Sequence, residues 1–209
     1  SALGERRAAS FRPQPSPRLM QGDLFTAGAL PVTDQPTLPL QPQQLLEWQQ
    51  RLQDHQAPLF RGEQPTAAQG DLFGATPTDA AAGLDPLALV PLPLSFWRWP
   101  ESPHRGAAIY LVLDRPPHLD QPLLLYVGET LAADRRWKGD HDCKSYLAAY
   151  GEALQRCQLP SQLSIRFCCD VPRTTRHRRG LEQELIQRWL PPFNKETRQR
   201  WATPFTADR

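Results

Sequence analysis

The chain has 209 residues, a net charge of +2 and 23 prolines, 15 of which precede residue 106. Residues 1–105 carry 8 Lys+Arg against 10 Asp+Glu, a net of −2, whereas residues 106–209 carry 16 against 12, a net of +4. A first half so rich in Pro and Gln is poorly suited to closing a packed core, so a single folded domain of ordinary size is expected in the second half.

No run of about 18 apolar residues is available to span a membrane, and no apolar leader core follows the first basic residues. Cys143, Cys157, Cys168 and Cys169 form neither a CxxC pair nor a zinc-ligand spacing. They are expected as reduced thiols of a cytoplasmic protein. The basic second half is compatible with a polyanionic partner but does not by itself require one.

Residues 1–86 are expected to form a mostly disordered tether. Within it a pentapeptide recurs: Gln21-Gly22-Asp23-Leu24-Phe25, Gln56-Ala57-Pro58-Leu59-Phe60 and Gln69-Gly70-Asp71-Leu72-Phe73. The form Gln-x-x-Leu-Phe resembles the short peptide by which many bacterial replication and repair proteins bind the DNA sliding clamp. An apolar Leu-Phe pair in a polar chain cannot bury itself locally and can dock in a partner's pocket, and several copies add avidity on a multi-subunit ring. Gln21, Leu24, Phe25, Gln56, Leu59, Phe60, Gln69, Leu72 and Phe73 are the clamp-binding candidates. Between the first two copies, Gln43–Gln53 reads as a short amphipathic helix through Leu45, Leu46, Trp48 and Leu52.

Residues 87–105, apolar but broken by prolines, read as an extended segment docked on a domain edge. Residues 107–114 and 122–128 then read as two short strands. Pro116, Pro117 and Pro122 break the connection, giving an antiparallel hairpin with a long turn. A helix-like run at 130–137 follows, then a helix at about 144–157 striped with Tyr146, Leu147, Tyr150 and Leu154, and a third strand at 163–171.

The last helix, at about 176–189, is stopped by Pro191-Pro192. Leu185, Ile186 and Trp189 stand three, four and seven residues after Glu182, which puts Glu182 on the apolar stripe. A carboxylate there needs a cation, a hydrogen-bond network or an opening to water. A partner among Arg173, Arg176, Arg178 and Arg179 also meets that need. Glu184 lies on a more polar face and is expected to be solvated.

Ala108-Ile109-Tyr110, Tyr126-Val127-Gly128, Leu181-Glu182-Gln183-Glu184-Leu185-Ile186 and Pro191-Pro192-Phe193-Asn194 occur in that order. Together they resemble the GIY-YIG nuclease superfamily, most of all the N-terminal nuclease domain of the bacterial excision-repair incision subunit. The sequence departs from that pattern at Ala108, where Gly is usual, and in a longer interval between the tripeptides.

The resemblance implies a small α+β domain over 106–200, a three-stranded antiparallel sheet flanked by helices, with 201–209 as a tail. It selects Arg136, ten residues after Tyr126, along with His141 and Asn194. Tyr110, Tyr126, Arg136, His141, Glu182 and Asn194 are then the catalytic candidates. Glu182 is the ligand of one Mg2+ or Mn2+, with no small-molecule cofactor. Arg136 contacts the scissile phosphate, for which a guanidinium fork is suited. Tyr110 orients or deprotonates the attacking water, with Tyr126 or His141 assisting, and Asn194 holds the site together.

Arg135, Lys138, Arg173, Arg176, Arg178 and Arg179 are candidates for tracking a DNA backbone. The function expected is a metal-dependent DNA endonuclease in replication-linked repair, nucleoid-associated and recruited by the sliding clamp. A non-catalytic clamp-associated adaptor that binds DNA and an RNA-cleaving enzyme are the alternatives.

Overall fold

The structure, a computed structural model, describes residues 39–63, 78–138 and 142–207. Four helices and three strands follow in chain order: α1 (Pro42–Phe60), α2 (Asp79–Gly83), β1 (Ala108–Asp114), β2 (Leu123–Thr130), α3 (Asp142–Arg156), β3 (Leu163–Cys168) and α4 (Thr175–Trp189). The strands form one antiparallel sheet in the order β2-β1-β3, so the fold is α+β. The third strand ends at Cys168, short of the expected Val171.

Every residue of β1 is buried, because successive side chains of a strand point to opposite faces and both faces are covered. Ala108, Tyr110 and Val112 join Leu45, Trp48 and Leu52 of α1, Leu147 and Tyr150 of α3, and Phe193 in one apolar cluster. Ile109, Leu111 and Leu113 join Leu181, Leu185, Ile186 and Trp189 of α4 in a second.

A bulge lies in the β1–β2 ladder: Val112 pairs with Tyr126, but Leu113 pairs with Leu124. Leu125 is the extra residue, and Leu125 and Tyr126 consequently pack toward the same cluster. Bulges re-aim side chains in this way. Strict alternation from Leu124 would put Tyr126 on the Leu124 face, away from Tyr110.

Three differences from the sequence expectations have physical causes. First, α1 extends to Phe60 and belongs to the folded unit, Pro39–Arg209, rather than to a tether. Leu45, Trp48 and Leu52 are fully buried, and the Gln56 side chain clasps the β2 backbone. Its Nε2 donates to the Leu124 carbonyl at 2.9 Å and its Oε1 accepts from the Leu124 amide at 2.8 Å.

Second, the stretch 130–137 is not a helix: Thr130 ends β2, and bends and turns follow from 131 to 138. Ala133 N donates to Gly106 O, Arg135 N to Ala132 O and Lys138 N to Arg135 O, and pinning Ala133 to a neighbouring segment competes with continuous i to i−4 bonding. Third, Glu184 is half-buried and held in place, its Oε2 accepting from the backbone and hydroxyl of Thr78 at 2.9 and 2.6 Å. That contact ties the start of α2 to α4.

On the other edge of the sheet, Leu92 exchanges two backbone hydrogen bonds with Ile165 of β3, and Arg166 donates to the carbonyls of Pro86 and Leu89. Residues 86–92 thus lie along β3. No helix among the described residues is long and apolar enough to cross a membrane.

Candidate active site

Tyr110 and Gly128 face each other across the β1–β2 ladder. The absent side chain of Gly128 leaves room for the Tyr110 ring to lie over the neighbouring strand. Tyr110 is fully buried, and its hydroxyl accepts from Nε of Arg136 at 3.0 Å. The ring stacks with Tyr126 at 5.8 Å and meets Trp137 edge-on at 6.1 Å. Trp137, buried under the 130–138 turns, fixes the segment that presents Arg136, and Lys144 of α3 holds its carbonyl at 2.6 Å.

Tyr110 and Tyr126 thus bring their phenols side by side. Burial raises the pKa of both phenols above the usual tyrosine range, outweighing the Arg136 guanidinium beside them. Both are therefore neutral phenols near pH 7. Tyr110 serves as an internal acceptor behind the surface, while Tyr126, only half-buried, is the tyrosine that lines the cleft. This differs from the expectation that Tyr110 itself touches the water.

Glu182 projects from α4 toward the end of β2, where its Oε1 accepts from the Glu129 amide at 3.0 Å. Its pKa is raised above the ordinary carboxylate value, first by burial and then by the negative charges of Glu129 and Glu196, with the Glu129 amide and Arg136 opposing. Glu129 lies beneath it, receiving Nε of Arg178 at 2.9 Å on one oxygen and Nε of Arg179 at 3.3 Å on the other.

Asn194 completes the edge of β2 as an added strand would. Its Oδ1 accepts from the Val127 amide at 3.0 Å and its Nδ2 donates to the Val127 carbonyl at 2.8 Å. Phe193 N adds a bond to the Leu125 carbonyl. The chain reaches this position because α4 ends at Leu190 in the left-handed conformation, φ 47°, and Pro191-Pro192 prevents the helix from resuming. Gln56, Phe193, Asn194 and Glu182 between them cap the outer backbone groups of Leu124, Leu125, Val127 and Glu129.

Tyr126, Glu182, Ile186, Asn194, Glu196 and Arg198 line a cleft of about 250 Å³, together with Gln183, Phe193 and Lys195. Of the expected site residues, Tyr126, Glu182 and Asn194 line this cleft, and Tyr110, stacked on Tyr126, holds Arg136. His141 lies outside the described residues. Arg135, Lys138, Arg173, Arg176 and Arg179 are exposed.

Arg178 is a correction. It is completely buried and bonded to Glu129, to the carbonyls of Pro172 and Arg173 and to Thr175, so it is unavailable to a nucleic acid. Gln56, Leu59 and Phe60 are a second correction to the docking peptides. Gln56 and Leu59 are buried and Phe60 packs on Trp189 at 4.6 Å. The other two copies of the pentapeptide lie outside the described residues.

Glu129, Glu196 and Arg198 escaped the sequence reading. Glu129 carried a usable signal, an acidic residue directly after the Tyr126-Val127-Gly128 strand end. Glu196 and Arg198 carried none, since they follow the helix in an irregular segment.

Among the described residues no group of three His, Cys, Asp or Glu side chains converges as a metal cage. The arrangement suits a hard cation held by one carboxylate and water. Glu182 is half-buried, costly to ionise and crowded by Glu129 and Glu196, and a divalent ion would relieve all three conditions. No family model, curated protein or solved structure matches the chain.

Proposed function

We propose that this protein is a metal-dependent endonuclease of GIY-YIG type that hydrolyses phosphodiester bonds in DNA, in replication-linked repair or processing. The observation that carries this reading is the convergence of Tyr110, Tyr126, Arg136, Glu182 and Asn194 at one end of β1 and β2.

In this reading Glu182 holds one Mg2+ or Mn2+. When bound, such an ion supplies Lewis-acid stabilisation of the developing phosphorane charge and a more acidic coordinated water. The protein's own groups do the rest. Tyr126, neutral and facing the cleft, orients the attacking water by hydrogen bonding. Tyr110 fixes Tyr126 and Arg136 together. Arg136 brings positive charge to the phosphate, and Asn194 keeps β2 and the segment after α4 in register. Arg135, Lys138, Arg173, Arg176 and Arg179 supply salt-sensitive backbone contacts.

Recruitment by a sliding clamp through Gln21-Leu24-Phe25 and Gln69-Leu72-Phe73 belongs to the same proposal, without the buried Gln56 copy. The complete burial of Tyr110 favours a second reading, a DNA-binding adaptor that does not cut. The test is cleavage of labelled nicked, flapped, branched, mismatched and single-stranded DNAs, with matched RNAs, in Mg2+ or Mn2+, with and without clamp. Wild type is compared with Glu182→Gln, which keeps an acceptor for Glu129 N. Cleavage lost in the variant supports the enzyme. Equal inactivity with retained DNA binding supports the adaptor, and a preference for RNA overturns the DNA assignment.

A further inference from the structure

The cleft at Glu182 has a neighbour. A second cavity of about 280 Å³ is lined by Tyr146, Gln199, Ala202, Thr203, Phe205 and Thr206, with Ala207 and Arg198. Arg198 is the single residue common to both cavities. It is held flat: its guanidinium carbon lies 3.9 Å from the Tyr146 ring centroid, Tyr146 stacks on Phe193, and Nη2 donates to the Phe193 carbonyl at 3.1 Å.

Two donors at this boundary are buried and unsatisfied, Nε of Arg198 and the hydroxyl of Thr203. Buried polar atoms without partners are uncommon and costly, which makes them evidence for a missing ligand atom. A guanidinium and a hydroxyl that line one cavity match the oxygens of a phosphodiester.

We propose that Arg198 is a second phosphate anchor, and that the strand being cut runs from the Glu182 cleft across Arg198 into the cavity at Thr203. The inference rests on the nuclease reading and adds the path of the substrate backbone to it.

The test uses the full chain with Glu182→Gln, so that binding is read without cleavage. Anisotropy of a fluorescein-labelled flapped DNA is followed against salt, alongside thermal unfolding. Adding Arg198→Gln should weaken binding about tenfold and lower the salt slope by about 0.7–0.9, and Arg198→Lys should restore the slope. Thr203→Val should also weaken binding but leave the unfolding temperature unchanged or higher, since the hydroxyl it removes is unsatisfied.

Unchanged affinity and slope in both Arg198→Gln and Thr203→Val overturn the inference. So does a loss confined to Arg198→Gln and accompanied by a lower unfolding temperature, which marks a packing role. A parent protein that binds no DNA overturns the nuclease reading itself.

Discussion

A Cβ atom added to Gly128 would stand 2.3 Å from Cζ of Tyr110 and 2.4 Å from its hydroxyl oxygen. No side chain can share that space, so Gly128→Ala must displace the ring and break the Arg136 hydrogen bond. Overpacking of this kind costs about 1–3 kcal/mol, and denaturant unfolding should show a loss in that range together with loss of cleavage. Shortening the partner with Tyr110→Leu should reduce the cost of Gly128→Ala. An equal cost in both backgrounds would mean that the two residues do not contact in solution.

Tyr110→Phe removes the oxygen that accepts from Nε of Arg136. Loss of a buried acceptor leaves donors unpaired, at about 1–3 kcal/mol, so the variant should be less stable than Tyr126→Phe, whose hydroxyl reaches the cleft. Both phenols are raised above the tyrosine value of about 10. Their contribution to stability is present below about pH 10 and is lost as pH rises through their folded pKa. Ultraviolet titration should show three tyrosines, Tyr110, Tyr126 and Tyr150, that ionise later than a free tyrosine. Phenolate absorbance from any of them at neutral pH would contradict the burial described.

Glu182→Gln gives the third expectation. Because the folded carboxyl has a raised pKa, the stability linked to its protonated form is full below about 4.5, the ordinary value, and is lost as pH rises through the folded pKa. The variant should therefore unfold at a higher temperature than wild type at pH 7 in metal-free buffer. Added Mn2+ should raise the unfolding temperature of wild type alone. That increase should fade as the solution is acidified through the Glu182 pKa. A Mn2+ effect of equal size in the variant would place the cation elsewhere.

Arg178 and Arg179 are neighbours with opposite expected outcomes. Arg178 is 0% exposed against Glu129, whereas Arg179 is 68% exposed. Removing one partner of a buried pair costs about 3–5 kcal/mol, so Arg178→Ala should cost that much and disorder the Glu182 end of β2. Arg179→Ala should change stability by no more than about 0.5 kcal/mol and instead lower DNA affinity at low salt. Equal stabilities for the two variants would contradict the ion-pair geometry.

The sheet and the last helix were legible because apolar runs bounded by Pro116, Pro117 and Pro122 and the spacing of Leu181, Leu185, Ile186 and Trp189 are direct records of burial. The path of α1 was not, for a reason visible in Gln56, Leu59 and Phe60. Positions i, i+3 and i+4 serve equally as one face of a helix and as a docking peptide, and Pro58 concealed the continuing helix. Arg178 had a readable position, three before Leu181 and four before Glu182 on the same stripe, but arginine is seldom buried without a partner. That partner, Glu129, is distant in sequence. The cleft itself depends on Leu125, the single extra residue that turns Tyr126 toward Tyr110, and a bulge leaves no mark in a run of three leucines.

Closure of β2 by Gln56, Glu182 and Asn194 gives the site an order of assembly. A strand edge without partners invites pairing with other chains, and here the covering groups come from both sides of the hairpin in sequence. A chain that ends at α4 already carries Gln56 and Glu182, yet it leaves the outer groups of Leu125 and Val127 uncovered and lacks the wall that Asn194 and Arg198 build. Docking of residues 191–198 covers that edge and completes the wall together.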